Sequence, residues 1–175
     1  LMKIYKDIHA YPLWWIPVSF ILLLIIHDSY FYWVHRLMHQ YPFLMRWHSH
    51  HHKSHIPTPF ASFSFHPGEA FLEVAIIPVV LFFLPCHQLV ILLFTSMVLL
   101  LNVIGHLGYE PYPAWFAKHP VLKWLNTSSH HNMHHKNGNY NFGFYFNFWD
   151  SWMGTNAPDY HEVFRKNAER GVLHS

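Results

Sequence analysis

Residues 13–39 read LWWIPVSFILLLIIHDSYFYWVHRLMH. From Leu13 to Ile26 the run is interrupted only by Pro17 and Ser19, and aromatic residues carry it on to Val34. About 20 apolar residues suffice for a helix to cross the hydrocarbon core of a bilayer, so 13–34 is read as a membrane span. Trp14 and Trp15 stand where an interfacial aromatic belt belongs. The run passes directly into His35-Arg36-Leu37-Met38-His39. Histidines at i and i+4 share one helical face, so this span ends in a pair of imidazoles that can address one point.

Two further apolar runs lie downstream, Ala70 to Leu84 and Gln88 to Ile104, joined by Pro85-Cys86-His87. They read as a helical hairpin, with spans at about 70–84 and 88–105. The expected fold is an all-α, integral-membrane helical bundle forming a single domain over 1–175. Arg36, Arg46 and Lys53 fall in the polar block 35–69, and Lys118, Lys123 and Lys136 in the block 106–140, whereas the Pro85 turn has no basic residue. The positive-inside rule puts both blocks on the cytoplasmic face. Three spans leave the lead-in with Lys3, Lys6 and Asp7 on the other side, and a further helix upstream would restore an even number.

Composition agrees with a lipid-facing surface. The 175 residues are 52% hydrophobic, 19% aromatic and 11% charged, against about 25% charged in soluble domains. A mean hydropathy of only +0.09 reflects 19 histidines gathered in a few places. A net charge of +2 is too small to suggest a nucleic-acid partner. With Cys86 alone, there is no intrachain disulfide or thiolate cluster, so any metal is held by imidazole and carboxylate.

Histidines recur in two more blocks. His48-Ser49-His50-His51-His52, with His55 following, contains the spacing i, i+3, i+4 at His48, His51 and His52. The same spacing returns at His131, His134 and His135 in His130-His131-Asn132-Met133-His134-His135. A single tract of this kind reads equally as a solvated metal scavenger, and a lone pair as an interfacial pair. The repetition of one spacing in two distant blocks, both returned to one face by the hairpin, favours a shared metal site. Packing so many imidazoles together without metal would leave many polar groups unpaired. His106, at the end of the third run, extends the set to His35, His39, His48, His51, His52, His106, His131, His134 and His135. That set overfills one ion, since zinc takes at most four such ligands, and it suits two. Imidazole alone does not select among zinc, copper, iron and nickel.

Two carboxylates join the candidate site. Glu110 is four residues after His106 and shares its face if the helix continues, as a ligand or a supporting carboxylate, against a reading in which it points to water. Asp28 shares a helical face with His35 and His39 but lies roughly 10 Å along the axis from His35. It is expected to bond a histidine from another block, since carboxylates behind ligating histidines fix their tautomer; the alternative is a bond to Tyr30 or Tyr32. His27 reads as interfacial, and His66-Pro67-Gly68-Glu69 as a helix start with Glu69 in the first turn. There is no His-Glu-x-x-His motif.

These motifs in order resemble the fatty acid hydroxylase/sterol desaturase superfamily. They are His27-Asp28-x-Tyr30-x-Tyr32-Trp33-x-His35-Arg36-x-x-His39, His48-x-x-His51-His52, and His131-x-x-His134-His135 with Asn139-Tyr140-Asn141-Phe142-Gly143. Phe148-Trp149-Asp150 and Gly154-Thr155 also fit, and the similarity covers roughly 20–155, nearest to the sterol desaturase-like branch. The resemblance implies a cytoplasmic histidine-rich cap holding two Fe ions, with Zn able to take their place in a purified sample. It implies O2 as co-substrate and hydroxylation or desaturation of an aliphatic C–H in a lipid or sterol-like substrate, in a bacterial inner membrane or the endoplasmic reticulum. Some members carry a histidine where this chain has Glu110. The sequence has no dinucleotide fingerprint or haem turn, so an external electron donor, a reductase or small redox protein, is implied. The rival readings are a membrane metal-binding or transport protein and a zinc-dependent membrane hydrolase. The first calls for ionisable residues at mid-span, the second for a catalytic carboxylate among the ligands.

Overall fold

A computed structural model describes residues 2–54 and 58–170; His55 lies outside the described residues. The apolar run of 13–34 and the histidine pair beyond it form one helix, α1 (Trp15–Gln40, 26 residues). At 1.5 Å per residue it is about 39 Å long, more than the roughly 30 Å of a bilayer core. Pro17 falls in the first turn, where a missing N–H breaks no bond. Pro42 disfavours helical backbone in the residue before it, and Tyr41 is extended (φ −106°, ψ 118°), ending α1 and starting α2 (Pro42–His48). A 3-10 turn over His51–Lys53 follows.

The expected span 70–84 takes a different form. It begins earlier and divides into α3 (Pro67–Val74) and α4 (Ile76–Phe83). His66 caps α3 by accepting from Gly68 N at 3.0 Å, with Pro67 at the first helical position. The break at Ala75 has its cause in Pro78, which cannot donate to the Val74 carbonyl one turn back and crowds it sterically. After Pro85 comes α5 (Gln88–Gly105, 18 residues). By length and composition α1 and α5 are long and apolar enough to cross a membrane. Their outer faces are apolar and exposed at Ile21, Ile25, Leu92, Leu93 and Leu100, as lipid contact requires.

The hairpin turn lies at the end away from the histidines. There β1 (Ile4–Tyr5) pairs in parallel with β2 (Cys86–His87), and Trp15 Nε1 donates to Pro85 O at 2.8 Å. Leu23, Leu24, Val80, Leu81, Val90, Phe94 and Tyr145 form the core between the helices. At the opposite end sit three short helices, α6 (Ser128–Lys136), α7 (Phe148–Met153) and α8 (Tyr160–Arg170). Phe116, Ala157, Tyr160 and Phe164 form a second core beneath them. The polar α6 is buried all the same, because its amides find partners: Thr127 Oγ1 accepts from His130 N at 3.1 Å, and Glu110 Oε2 from Ser129 N at 2.9 Å.

Candidate metal centre

Four elements deliver histidines to one place: the end of α1 (His35, His39), the end of α2 and the turn after it (His48, His51, His52), the residue capping α5 (His106), and α6 (His131, His134, His135). The nine rings form two groups. His35, His39, His48, His52 and His134 converge in one, and His51, His106, His131 and His135 in the other, with the facing nitrogens of each group within 4.8 Å of one another. The motifs therefore do not each serve one group. On α6, His131 and His135 lie 40° apart around the axis and share a group, while His134 turns to the other side.

The contacts between rings are Nε2 to Nε2. In the first group they are His35–His48 3.0 Å, His48–His52 2.9 Å, His52–His134 3.1 Å and His39–His134 3.1 Å. In the second they are His51–His106 3.2 Å, His106–His131 2.9 Å and His131–His135 3.1 Å. Several of these cannot be ordinary hydrogen bonds. His35 Nδ1 lies 2.8 Å from Phe142 O, His106 Nδ1 2.7 Å from Asn102 O, and His134 Nδ1 2.7 Å from Tyr140 O. A carbonyl only accepts, so these three Nδ1 atoms carry the proton and their Nε2 atoms present lone pairs. The single Nε2–H of His52 cannot serve both His48 and His134.

Lone pairs so gathered fit a cation. Two nitrogens about 2.1 Å from a shared ion lie about 3.0 Å apart at a right angle and about 3.4 Å apart at the tetrahedral angle. The observed spacings of 2.9 to 3.2 Å match the right angle, as in centres with more than four positions. Burial, with His106 and His52 adding repulsion, pushes His51 down to about 3. Burial and neighbouring imidazoles likewise hold His131 and His134 well below the usual imidazole range. These rings are neutral at pH 7, the form that binds metal.

The supporting carboxylates differ from those expected. Glu69 Oε1 stands 2.6 Å from His48 Nδ1, with both residues buried; its position in the first turn of α3 had suggested only a favourable helix end. Asp28 is fully buried and, correcting the expectation, bonds no histidine among the described residues. Its Oδ1 accepts from the amides of Tyr145 (2.7 Å) and Phe146 (3.3 Å), because the 142–147 segment lies between α1 and the histidine cap. Asp150 does the same from the far side, accepting from Phe142 N (2.9 Å), Gly143 N (2.7 Å) and Thr155 Oγ1 (2.7 Å). Asp28 and Asp150 thus pin a segment whose Phe142 carbonyl orients His35. A Cβ on Gly143 would collide with Phe146 O and Asp150 Oδ2, so only glycine admits this clamp.

Glu110 is a second correction. The α5 helix ends at Gly105, and Gly108 turns the chain with φ 73°, so Glu110 does not share a face with His106. It lies outside both histidine groups and accepts from Ser129 N at the start of α6 (2.9 Å), where a negative charge is favoured, and from Tyr112 N (3.2 Å). His50 is exposed. His130 is buried but turned away, with Nε2 3.3 Å from Asn156 Oδ1. His27 is buried rather than interfacial, bonded to the Tyr145 hydroxyl at 2.9 Å. Gly138 backs onto His39, whose Cε1 would lie 2.5 Å from an added Cβ.

A cavity of about 210 Å³ opens beneath both groups. His35, His48, His51, His106 and His131 form its roof, and Phe31, Val74, Val98, Leu99 and Phe144 its apolar walls.

Residues 20–155 match the fatty acid hydroxylase family. The lathosterol oxidase of Mus musculus is 36% identical over 151 residues, covering 85% of this chain and 48% of that protein. The human lathosterol oxidase is 35% identical with the same coverage. A delta(7)-sterol 5(6)-desaturase of Gibberella zeae is 28% identical over 175 residues, 97% of this chain and 53% of that protein. The chain thus spans about half the length of the curated relatives it matches. No solved structure matches it. By the family match, its coverage and the identity to these relatives, the chain belongs to the fatty acid hydroxylase family, on the branch that holds the sterol desaturases.

Proposed function

We propose that this chain is the metal-binding core of a membrane oxidase that uses O2 to hydroxylate or desaturate an aliphatic C–H of a sterol-like lipid. The observation that carries the reading is the convergence of nine imidazoles, as two groups of facing ring nitrogens, over an apolar cavity between membrane helices. His35, His39, His48, His52 and His134 would hold one iron ion, and His51, His106, His131 and His135 the other. When bound, the two ions supply the O2-dependent redox chemistry that no side chain can provide.

The protein's part is position and exclusion of water. Carbonyls of Phe142, Asn102 and Tyr140 fix the tautomers of His35, His106 and His134, so the donor atoms need no rearrangement. Phe31 and Phe144, stacked with ring centroids 4.8 Å apart, bring an apolar wall up to the His35 ring. A chain seated there presents its methylenes to the roof and excludes water from the reacting carbon. The substrate enters from the lipid side beside α3 and α5. The basic residues of 35–53 and 118–136 support a cytoplasmic face for the centre, where an external donor would deliver two electrons per turnover. A zinc hydrolase would need a carboxylate aimed at the centre, and Glu110 is engaged at the start of α6 instead.

The test is metal analysis combined with O2 consumption. Iron-loaded protein should hold about two ions per chain and consume O2 with a sterol and a reductant. One ion or fewer in fully loaded, folded protein removes the dimetal reading, and two ions without sterol-dependent O2 uptake removes the oxidase reading.

A further inference from the structure

The cavity beneath the histidines has one polar wall group without a partner. Besides the roof, its polar side chains are His27, Asn102 and Glu73. His27 is bonded to the Tyr145 hydroxyl, and Asn102 Nδ2 donates to Ser62 O at 2.7 Å. Glu73 makes no hydrogen bond or ion pair among the described residues, although it is half-buried and faces an apolar space. An ionisable side chain left unmet among membrane helices is costly and marks a functional position.

Size and charge narrow what meets it. About 210 Å³ is below the roughly 300–1,000 Å³ of pockets that enclose a drug-sized ligand. The cavity therefore takes one end of a lipid while the rest stays between α3, α5 and the bilayer. An anionic end would meet the charge of Glu73 itself. A cationic end would sit beneath two groups of neutral imidazoles built to concentrate positive charge. A neutral hydroxyl satisfies the carboxyl without either penalty. Glu73 also follows Glu69 by one helical turn, about 6 Å along α3, and Glu69 bonds His48. A group held by Glu73 thus lies close to the first histidine group.

We infer that the cavity binds the hydroxyl-bearing end of a sterol-like alcohol, with the hydroxyl donating to the Glu73 carboxyl, so that oxidation falls on carbons a few bonds from that oxygen. This rests on the membrane-oxidase reading and adds to it the orientation of the substrate.

The experiment compares binding of lathosterol and its methyl ether to the metal-loaded full chain in detergent, with retained sterol measured by mass spectrometry. Wild-type protein should prefer the alcohol by about tenfold, the weight of one net hydrogen bond. Glu73→Gln keeps an acceptor and should keep most of that preference. Glu73→Leu should bind both sterols alike with its metal content unchanged, and Glu73→Met takes its place if the leucine variant does not fold. Equal binding by wild type, a preference that survives Glu73→Leu, or failure to bind either sterol overturns the inference. A Glu73-dependent preference without O2 consumption leaves the hydroxyl contact to Glu73 standing and overturns the oxidase reading, and with it the placement of the oxidised carbons.

Discussion

Replacing Glu69 by glutamine should loosen one metal ion and spare the other. Glu69 Oε1 and His48 Nδ1 are 2.6 Å apart, with side-chain exposures of 0% and 2%, so solvent does not screen the contact. With a cation on the Nε2 side, the carboxylate form of Glu69 is favoured, and it both orients His48 and raises its basicity. Glutamine keeps the shape and an acceptor oxygen but not the charge. A hydrogen bond to a charged group contributes about 1.5–3 kcal/mol and a neutral one about 0.5–1.5 kcal/mol. The difference, on the order of 1.4 kcal/mol, is about tenfold in affinity, at the lower edge of the 10–100-fold range for such partners. His48 belongs to the group of His35, His39, His52 and His134, and Glu69 reaches none of the second group. A chelator titration of doubly loaded protein should therefore show one ion leaving at about tenfold lower chelator concentration and the other unmoved. Equal loosening of both ions would mean that Glu69 acts on the fold as a whole. No loosening of either would mean that His48 does not bind metal through the nitrogen opposite Glu69.

Substitution of His134, whose Nε2 meets both His39 and His52, by alanine should lower activity by about 100-fold or more, whereas His50→Ala, at an exposed position, should leave it within about twofold; turnover assays on equally folded variants decide this. Asp28→Asn should lower unfolding stability by about 1–2 kcal/mol, because two amides exchange a charged acceptor for a neutral one, while chelator titration finds the ion of the second group unmoved and any loosening confined to the group of His35, whose carbonyl partner sits on the segment that Asp28 pins. Metal-free protein should lose stability as pH falls from about 6.5, the ordinary imidazole value, toward about 3, to which burial lowers His51. In that window the unfolded chain binds more protons than the folded one, so each such group removes about 1.4 kcal/mol per pH unit. Urea titrations at successive pH values measure it, and stability that is flat or rises on acidification would contradict the neutral, buried imidazoles.

The features legible in the amino-acid order are those that depend on near neighbours. Length and hydrophobicity of 13–34 and 88–105 give two helices able to cross a bilayer, and i, i+4 spacing at His35 and His39 fixes a shared face, because both follow from helix geometry alone. The same local logic reads His66-Pro67-Gly68-Glu69 as a helix start. It fails at Glu110, since whether His106 and Glu110 share a face turns on the helix stopping at Gly105 and on the positive φ of Gly108. It also fails at Ala75, where Pro78 divides a run that composition alone shows as continuous.

Tertiary structure alone decides how the nine histidines divide. His48 and His52 go to one group and His51 to the other, and α6 is shared between both, because each ring's partners lie on helices up to about a hundred residues away. The carboxylates are assigned in the same way. Asp28 has the spacing of a supporting residue, yet the segment packed against it offers amides rather than imidazoles. Glu69 looks like an ordinary helix-start residue, yet the packing of α2 on α3 brings His48 to its carboxyl. Spacing determines which side chains can point together, and only the packing of distant segments determines what they meet.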